Sequence, residues 1–391
     1  MGRPRVLLVS HVAGLDGGAE RSLLELASGL HDLGSAEVEV VVPTGGDLSA
    51  ALAAAGVPTH VAPVPRWAPW EPDAAAAATG DAVARSVVRD LSVVRRLGSS
   101  LVPARRLLAA VAPDVVVTNT ATVPTYALVA RAAGIPHVWS VREFVRPEFH
   151  YLLGEPVSQR LIGRLSAAVV FNSDAVRRHF HPGVPIAKGV VVHPAVPLPD
   201  QRPERPREGA GLRLLLLGRM IAAKGAGVAI EGVAAARRAG VEVSLRVVGP
   251  GAERDRRRLV SVAAEHGVAD HVDIEGFDPD PGLRMRESDV VVVASDAEAF
   301  GRVTVEALRV GRPVLATRTG GSSEIVADGV NGLLFEPGDA ADLGAKIAML
   351  ATDPRLLRRL TAAAAPSISA RFLPEVQVRA FDAVLRSVVA R

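Results

Sequence analysis

Glu298 and Glu306 have seven residues between them in the run Glu298-Ala-Phe-Gly-Arg-Val-Thr-Val-Glu306. Before them, Asp289-Val-Val-Val-Val-Ala294 reads as a buried parallel strand, short, continuous and β-branched. After Gly301 the pattern turns helical, with Val305, Leu308 and Val310 ahead of a stop at Gly311. Glu298 therefore belongs at the carboxyl end of a strand, and Glu306 near the first turn of the next helix. That edge of an open α/β sheet is where ligands bind. Free amides at a helix N-terminus suit a phosphate. Carboxylates beside it can accept hydrogen bonds from neutral sugar hydroxyls. A phosphate centre with a hydroxylated group on either side describes a nucleotide sugar. The competing reading is structural, since glutamates near helix N-termini also complement the helix dipole.

Two further constellations tilt the balance. The strand Leu212–Leu217 runs into Gly218-Arg219-Met-Ile-Ala-Ala-Lys224-Gly225, so a tight turn brings two cations to the same sheet edge. Guanidinium and ammonium groups placed there can hold a diphosphate and neutralise it as a leaving group. Only three lysines occur among the 45 basic residues, which makes a lysine in this loop informative. In the N-terminal half, strand Val6–Val9 leads through Gly14-Leu-Asp-Gly17-Gly18-Ala19-Glu20-Arg21 into a helix over Ser22–Leu30. The Gly17-Gly18 pair lets backbone approach a ligand closely, although a plain tight turn explains it equally well and the full dinucleotide fingerprint is missing.

The elements that must position these residues alternate along the chain. Strands are expected at Val6–Val9, Val38–Val42, Val115–Val117, His137–Val141 and Ala167–Phe171, with Ala/Leu/Arg-rich helical segments between them. A proline-rich, charged stretch over Pro194–Gly211 interrupts the pattern and reads as a linker. Alternation then resumes at Leu212–Leu217, Ser244–Val248, Asp273–Glu275, Val290–Ala294, Val314–Thr317 and Gly332–Phe335, and Pro374 to Arg391 is a helix candidate. The pattern predicts an α/β protein of two Rossmann-like domains facing across a cleft, where the chemistry belongs. The expected domains are 1–195, a linker at 196–211, 212–365, and a C-terminal helical segment at 366–391 that crosses back to the first domain.

Composition agrees and excludes other classes. A chain of 391 residues is comfortable as two domains, and 49% hydrophobic content argues against disorder. With no cysteine there is no disulfide, thiolate metal site or cysteine nucleophile. The formal charge of +3 makes the pI near 9.7 weak evidence for a nucleic-acid partner. The run Met-Gly-Arg-Pro-Arg-Val-Leu-Leu-Val-Ser lacks a long apolar stretch with a small-residue cleavage site, so no signal peptide is expected. Leu48–Pro65 is broken by Gly56, Pro58 and Pro63, so no transmembrane helix is expected there, and a cytoplasmic enzyme is.

Together the motifs resemble the retaining glycosyltransferases of family 4, the "glycosyl transferases group 1" type with the two-domain GT-B fold. The resemblance covers nearly the whole chain. It rests on Gly17-Gly18-Ala19-Glu20, Phe171-Asn172-Ser173, Gly218-Arg219 with Lys224-Gly225, and Val248-Gly249-Pro250-Gly251. It is most specific at Glu298-Ala-Phe-Gly301-Arg-Val-Thr-Val-Glu306-Ala307, Gly320-Gly321-Ser-Ser-Glu324-Ile325 and Gly329-Val-Asn331-Gly332. The resemblance implies that Glu306 binds ribose hydroxyls and Glu298 those of the transferred sugar. Backbone amides around Phe300, Gly301 and Val303 would meet that sugar and the diphosphate. Arg219 and Lys224 would clamp the diphosphate, with Gly17 and Gly18 approaching from the other domain. It also implies a hexosyl transfer with retention from a UDP- or GDP-sugar to a hydroxyl acceptor, in bacterial glycan, glycolipid or natural-product biosynthesis. No metal or other cofactor is implied, and Asp278-Pro-Asp280, which superficially resembles an acidic metal pair, reads as a structural turn.

One departure falls on the acceptor side. Many family members carry a His-Asp pair after the fourth strand, whereas Trp139-Ser-Val-Arg142-Glu143-Phe144 has Arg-Glu. Arginine cannot serve as a base near neutral pH. Arg142 could bind an acidic acceptor, complete the phosphate clamp or pair with Glu143, and Asn119 joins these as an acceptor-side candidate. Trp67 and Trp70 could stack on a sugar or simply pack. The segment 81–110 carries Arg85, Arg89, Arg95, Arg96, Arg105 and Arg106 among Val and Leu. Such a stretch can dock on an anionic membrane surface at the inner face, or be a solvated basic face. Two other functions stay open at this level: a nucleotide-sugar epimerase or phosphorylase on the same fold, and a non-catalytic sugar-nucleotide sensor. Oligomeric state is not legible.

Overall fold

The computed structural model describes residues 3–15, 17–68, 81–144, 152–196 and 211–390, with the side chains of 81–89 excepted. The chain divides into two compact units, Met1–Ala195 with Leu373–Arg391, and Val196–Phe372.

The first unit holds strands β1 (Arg5–Val9), β2 (Glu37–Val42), β3 (Thr59–Val61), β4 (Val115–Thr118), β5 (His137–Val141), β6 (Ala168–Phe171) and β7 (Gly189–Val191). They form one parallel sheet in the order β3-β2-β1-β4-β5-β6-β7. Successive side chains of β1 leave on opposite faces, as pleating requires. Val6 and Leu8 enter one core cluster, while Leu7 and Val9 enter another. Burial on both faces is why these strands read as unbroken apolar runs. The C-terminal helix Pro374–Val389 adds Val378, Phe381, Val384, Leu385 and Val388 to the first of those clusters. It packs so closely on helix Gly18–Asp32 that a Cβ on Gly29 would lie 2.4 Å from Val378 Cγ2.

The second unit holds β8 (Leu212–Leu217), β9 (Val243–Val248), β10 (Val272–Glu275), β11 (Val290–Val293), β12 (Val314–Thr317) and β13 (Gly332–Phe335). Its parallel sheet runs β10-β9-β8-β11-β12-β13. Leu212, Leu214 and Leu216 pack to one side, and Leu215 to the other. Each sheet changes direction of winding once, between β1 and β4 and between β8 and β11. Those two crevices are where a doubly wound sheet opens to ligands.

Every strand expected from the sequence is present, and the structure adds β3 and β7 at the two edges of the first sheet. The unit boundaries differ from the expected domains. Residues 366–372 pack in the second unit, where Ile368 and Phe372 are buried beside Phe300. Val196 also belongs there, its amide bonded to the Phe372 carbonyl at 3.1 Å. The rest of the expected linker, up to residue 210, lies outside the described residues.

Candidate functional site

In the second unit, β8 ends at Leu217 and the chain turns through Gly218 and Arg219 to a short turn at Ala222–Lys224. β11 ends at Val293 on the neighbouring side of the winding switch, and Ser295 and Glu298 follow it. Lys224 Nζ donates to Glu298 Oε2 at 2.7 Å, closing the crevice between β8 and β11 with an ion pair. Ser295 Oγ donates to the same oxygen at 3.2 Å. The Gly301 amide also bonds the carboxylate. Burial pushes the Glu298 carboxyl up, but the Lys224 ammonium and these hydrogen bonds outweigh it and hold the group below the ordinary carboxylate range. Glu298 is therefore ionised at neutral pH. A carboxylate has about four lone-pair sites, so three donors leave room for a hydroxyl, and the ammonium has donors to spare. The side chains are 26% and 19% exposed, which leaves both within reach of a ligand.

Glu298 is held from behind by backbone. Its carbonyl accepts from the Gly321 amide at 2.6 Å. Gly320 adopts φ +63° so tightly against it that a Cβ there would stand 2.2 Å from the Glu298 carbonyl oxygen. Gly301 caps helix Arg302–Arg309 at φ +96°, and its own Cβ would meet Ser322 Oγ at 2.6 Å. The first intrahelical bond is Val305 to Gly301 at 3.1 Å. The amides of Arg302, Val303 and Thr304 precede it and have no acceptor within the helix, as at any helix start. Phe300 does not face the crevice as a side chain. It is buried against Phe372 at 5.6 Å between ring centroids, which leaves its backbone as the part available to a ligand.

Glu306 sits in the second turn of that helix, one turn deeper than expected. Arg302 Nε donates to its Oε1 at 3.0 Å, and the two side chains are mostly buried. Arg219 is exposed in the loop after β8. The structure thus gathers Arg219, Lys224, Glu298, Phe300, Gly301, Val303 and Glu306 onto the carboxyl edge of one sheet. Ser295, Arg302 and Gly320 support them; Arg302 and Gly320 fall in the quoted motifs without an assigned role, and Ser295 falls in none. The four-residue spacing of Arg302 and Glu306 was a usable signal. Ser295 lies only three positions before Glu298, but a loop has no repeat that pairs such positions.

The first unit places Gly17, Gly18, Asn119, Arg142 and Glu143 at its own switch point. Gly17 is the N-cap of helix Gly18–Asp32 at φ −106°, so it turns without left-handed backbone, and a Cβ on it would meet Glu20 Oε2 at 2.2 Å. Asn119, after β4, donates to the Ala19 carbonyl at 3.1 Å and accepts from Arg142 Nε at 2.5 Å. Glu143 accepts from Thr120 Oγ1 at 2.5 Å and from the Ala121 and Arg142 amides at 2.7 and 3.0 Å. Burial pushes its carboxyl up, against those hydrogen bonds and the Arg142 charge. Glu143 thus ties the loop after β4 to the loop after β5, a positioning role. His11, not among the expected residues, lies 3.6 Å from Glu20. Burial, then the Arg66 and Arg142 charges, lower its pKa to about 3, so it stays neutral and is a very weak base.

Trp67 is a packing residue. It stacks on Trp139 with centroids 6.0 Å apart and donates Nε1–H to the Ala121 carbonyl at 2.9 Å. Trp70 lies outside the described residues, as do the side chains of Arg85 and Arg89. The acidic pair Asp278 and Asp280 is structural: Asp278 accepts from Arg284 Nε at 2.6 Å, and Asp280 caps helix Pro281–Glu287.

Comparison with known proteins accords with this layout. Residues 17–195 match the "Glycosyl transferase 4-like domain" model and residues 199–366 the "Glycosyl transferases group 1" model. D-inositol 3-phosphate glycosyltransferase 1 of Catenulispora acidiphila is 32% identical over 267 residues, covering 61% of this chain and 63% of that protein. The lipopolysaccharide core biosynthesis glycosyltransferase LpsE of Rhizobium meliloti is 32% identical over 174 residues, 44% of this chain and 49% of its own. The chain thus spans less than two thirds of the curated relatives it matches. Among solved structures, Anabaena HepE in complex with UDP and glucose superposes with a TM-score of 0.73 at 20% identity, covering 98% of this chain and all of that one. Sucrose-phosphate synthase from Thermosynechococcus elongatus gives 0.74 at 18% identity, over 99% and 100%. Two family models that together take in almost the whole chain, and this likeness of fold, lead to one conclusion: the chain belongs to the group 1 glycosyltransferases, of the family 4 type, and has the GT-B fold.

Proposed function

We propose that the protein transfers a hexosyl unit, with retention and without a metal, from a UDP- or GDP-sugar to a hydroxyl of an acceptor. The observation that carries this reading is the Lys224–Glu298 pair at the β8/β11 switch, beside the start of helix Arg302–Arg309. In the proposal, the helix amides with Arg219 and Lys224 receive the diphosphate, whose charge rises as the sugar leaves. Glu298 accepts hydroxyls of the transferred sugar, and Glu306 those of the ribose. On the acceptor side, neither Arg142 nor His11 is a competent base, since one is permanently charged and the other titrates near 3. The acceptor proton is therefore assigned to the departing phosphate, on the face the sugar occupies. HepE in complex with UDP and glucose makes UDP-glucose the first donor to test. The relatives' names make an inositol phosphate and a lipopolysaccharide-core sugar reasonable first acceptors.

The test is turnover. Purified protein is incubated with UDP-glucose, UDP-N-acetylglucosamine or GDP-mannose and a panel of polyol and sugar acceptors. Nucleotide release is followed, and the product anomer is read from its proton coupling. We expect acceptor-dependent release of nucleoside diphosphate, an α-linked product and loss of turnover in Glu298→Ala. Binding without turnover in any mixture would favour the sensor reading. An inverted product would refute retention.

A further inference from the structure

The long helix Asp81–Val111 of the first unit has two unlike faces from residue 90 onward. Its inner face is fixed by Val93, Ala104 and Leu108, all buried, and by Ser100 Oγ bonded to Thr125 Oγ1 at 2.9 Å. The outer face should be polar on a helix that only meets water. Instead it exposes Leu91 at 65%, Val94 at 54%, Leu101 at 39% and Val102 at 57%. These fall at intervals of three, seven and one along the sequence and so form one stripe with Gly98. Arg95, Arg96, Arg105 and Arg106 are exposed around it. No aspartate or glutamate occurs from Leu91 to Val111. Asp90, half-buried, precedes the stripe, and from Leu91 on the outward face is apolar with only cationic charges, which is costly in water and self-repelling, so a second copy of the same face is a poor occupant.

We infer that this face, residues 91–106, docks the protein on an anionic phospholipid surface. Leu91, Val94, Leu101 and Val102 would enter the boundary between headgroups and acyl chains. The four guanidinium groups would reach outward to lipid phosphates along their apolar stems. The helix lies on the surface and does not cross it, since among the described residues no helix is long and apolar enough to span a membrane. The docking face lies in the first unit alone and does not depend on the transferase reading.

The test uses the full chain. Vesicles of phosphatidylcholine alone, or mixed with phosphatidylglycerol, are sedimented with wild type, Arg95→Ser/Arg105→Ser and Leu91→Ser/Val102→Ser. Because the chain has no cysteine, Val102→Cys provides a unique site for an environment-sensitive fluorophore. We expect binding to the anionic vesicles that high salt weakens, since each arginine near such a leaflet contributes about five-fold. The arginine variant should lower the bound-to-free ratio about ten-fold or more. The apolar variant should also lower it, and the label should shift to the blue on anionic vesicles only. All substituted positions are exposed, so thermal melting should match wild type and exclude misfolding as the cause. Equal sedimentation with both vesicle types overturns the inference. So does a label whose emission stays that of water, which would mark the face as one for an acidic macromolecule.

Discussion

Lys224 and Glu298, 74 positions apart in the chain, meet at 2.7 Å across the winding switch of the second sheet. Each was expected to meet a ligand, and in the structure they hold one another ready. Removing one partner leaves the other charge partly buried, so Glu298→Ala should cost about 1–3 kcal/mol in denaturant unfolding, less than for a fully buried pair. The double variant Lys224→Met/Glu298→Leu should lose less than the sum of its single changes. A coupling of about 0.5–3 kcal/mol in the double-mutant cycle is the expected reading. Strict additivity would mean the pair has no energetic content.

Glycines at the back of Glu298 offer a graded test. Gly320→Ala forces a Cβ onto a backbone oxygen at φ +63°, and neither can yield. Gly301→Ala meets a serine hydroxyl that can rotate away at the cost of its bond to Thr304 Oγ1, and the φ of +96° adds a further penalty. We expect losses of about 2–4 and 1–2 kcal/mol respectively, from thermal or chemical unfolding. The reverse order would contradict the packing described.

Strands were legible because, buried on both faces, they announce themselves as apolar runs, as in Val290–Val293, whereas the strand order that sets the switch points was not. Nor were β3 and β7. Each has three residues at a sheet edge, and Thr59-His60-Val61 has neither the length nor the apolar density to stand out. Site residues on strand ends were legible from their position, but their partners were not. Thr120 and Asn119 act through contacts that depend on which loops the sheet order brings together, whereas Ser295 meets Glu298 within a single loop that has no fixed periodicity to pair them. The role of Arg142 shows the limit well: its sequence neighbour Glu143 was one candidate partner, whereas its Nε bonds Asn119, 23 positions away.

Glu143 should be hard to replace. Its carboxylate receives three donors from two loops, and Glu143→Ala would strand the Ala121 and Arg142 amides in a buried site. A loss of about 2–4 kcal/mol is expected in urea unfolding. Glu143→Gln keeps part of the network and should lose less. Equal losses would argue that the second carboxylate oxygen, and not the size or remaining acceptor of the side chain, carries the effect.

Acid should destabilise the first unit before its carboxylates titrate. Burial lowers the pKa of His137 to about 3, and burial with the Arg66 and Arg142 charges does the same for His11. Unfolded histidine takes a proton near 6.5, so from there down to about 3 the unfolded state binds more protons. Stability must fall with falling pH across that window, by up to about 1.4 kcal/mol per pH unit for each residue. In His137→Gln the slope at pH 5 should drop by about that amount. An unchanged slope would show that His137 is charged in the native protein.

In the proposed reaction the carboxyl edge of the second sheet receives a nucleoside diphosphate sugar through Glu306, Glu298 and Lys224. Thermal unfolding of wild type, Glu306→Ala and Lys224→Ala against a panel of UDP-, GDP- and ADP-sugars tests it most directly. A ligand at a hundred times its Kd stabilises by about 2.7 kcal/mol, which raises the melting temperature of a unit this size by about 5–10 °C. We expect such a shift with one class of donor, lost in Glu306→Ala and weakened in Lys224→Ala. No shift with any donor, or equal shifts in all three proteins, would contradict it.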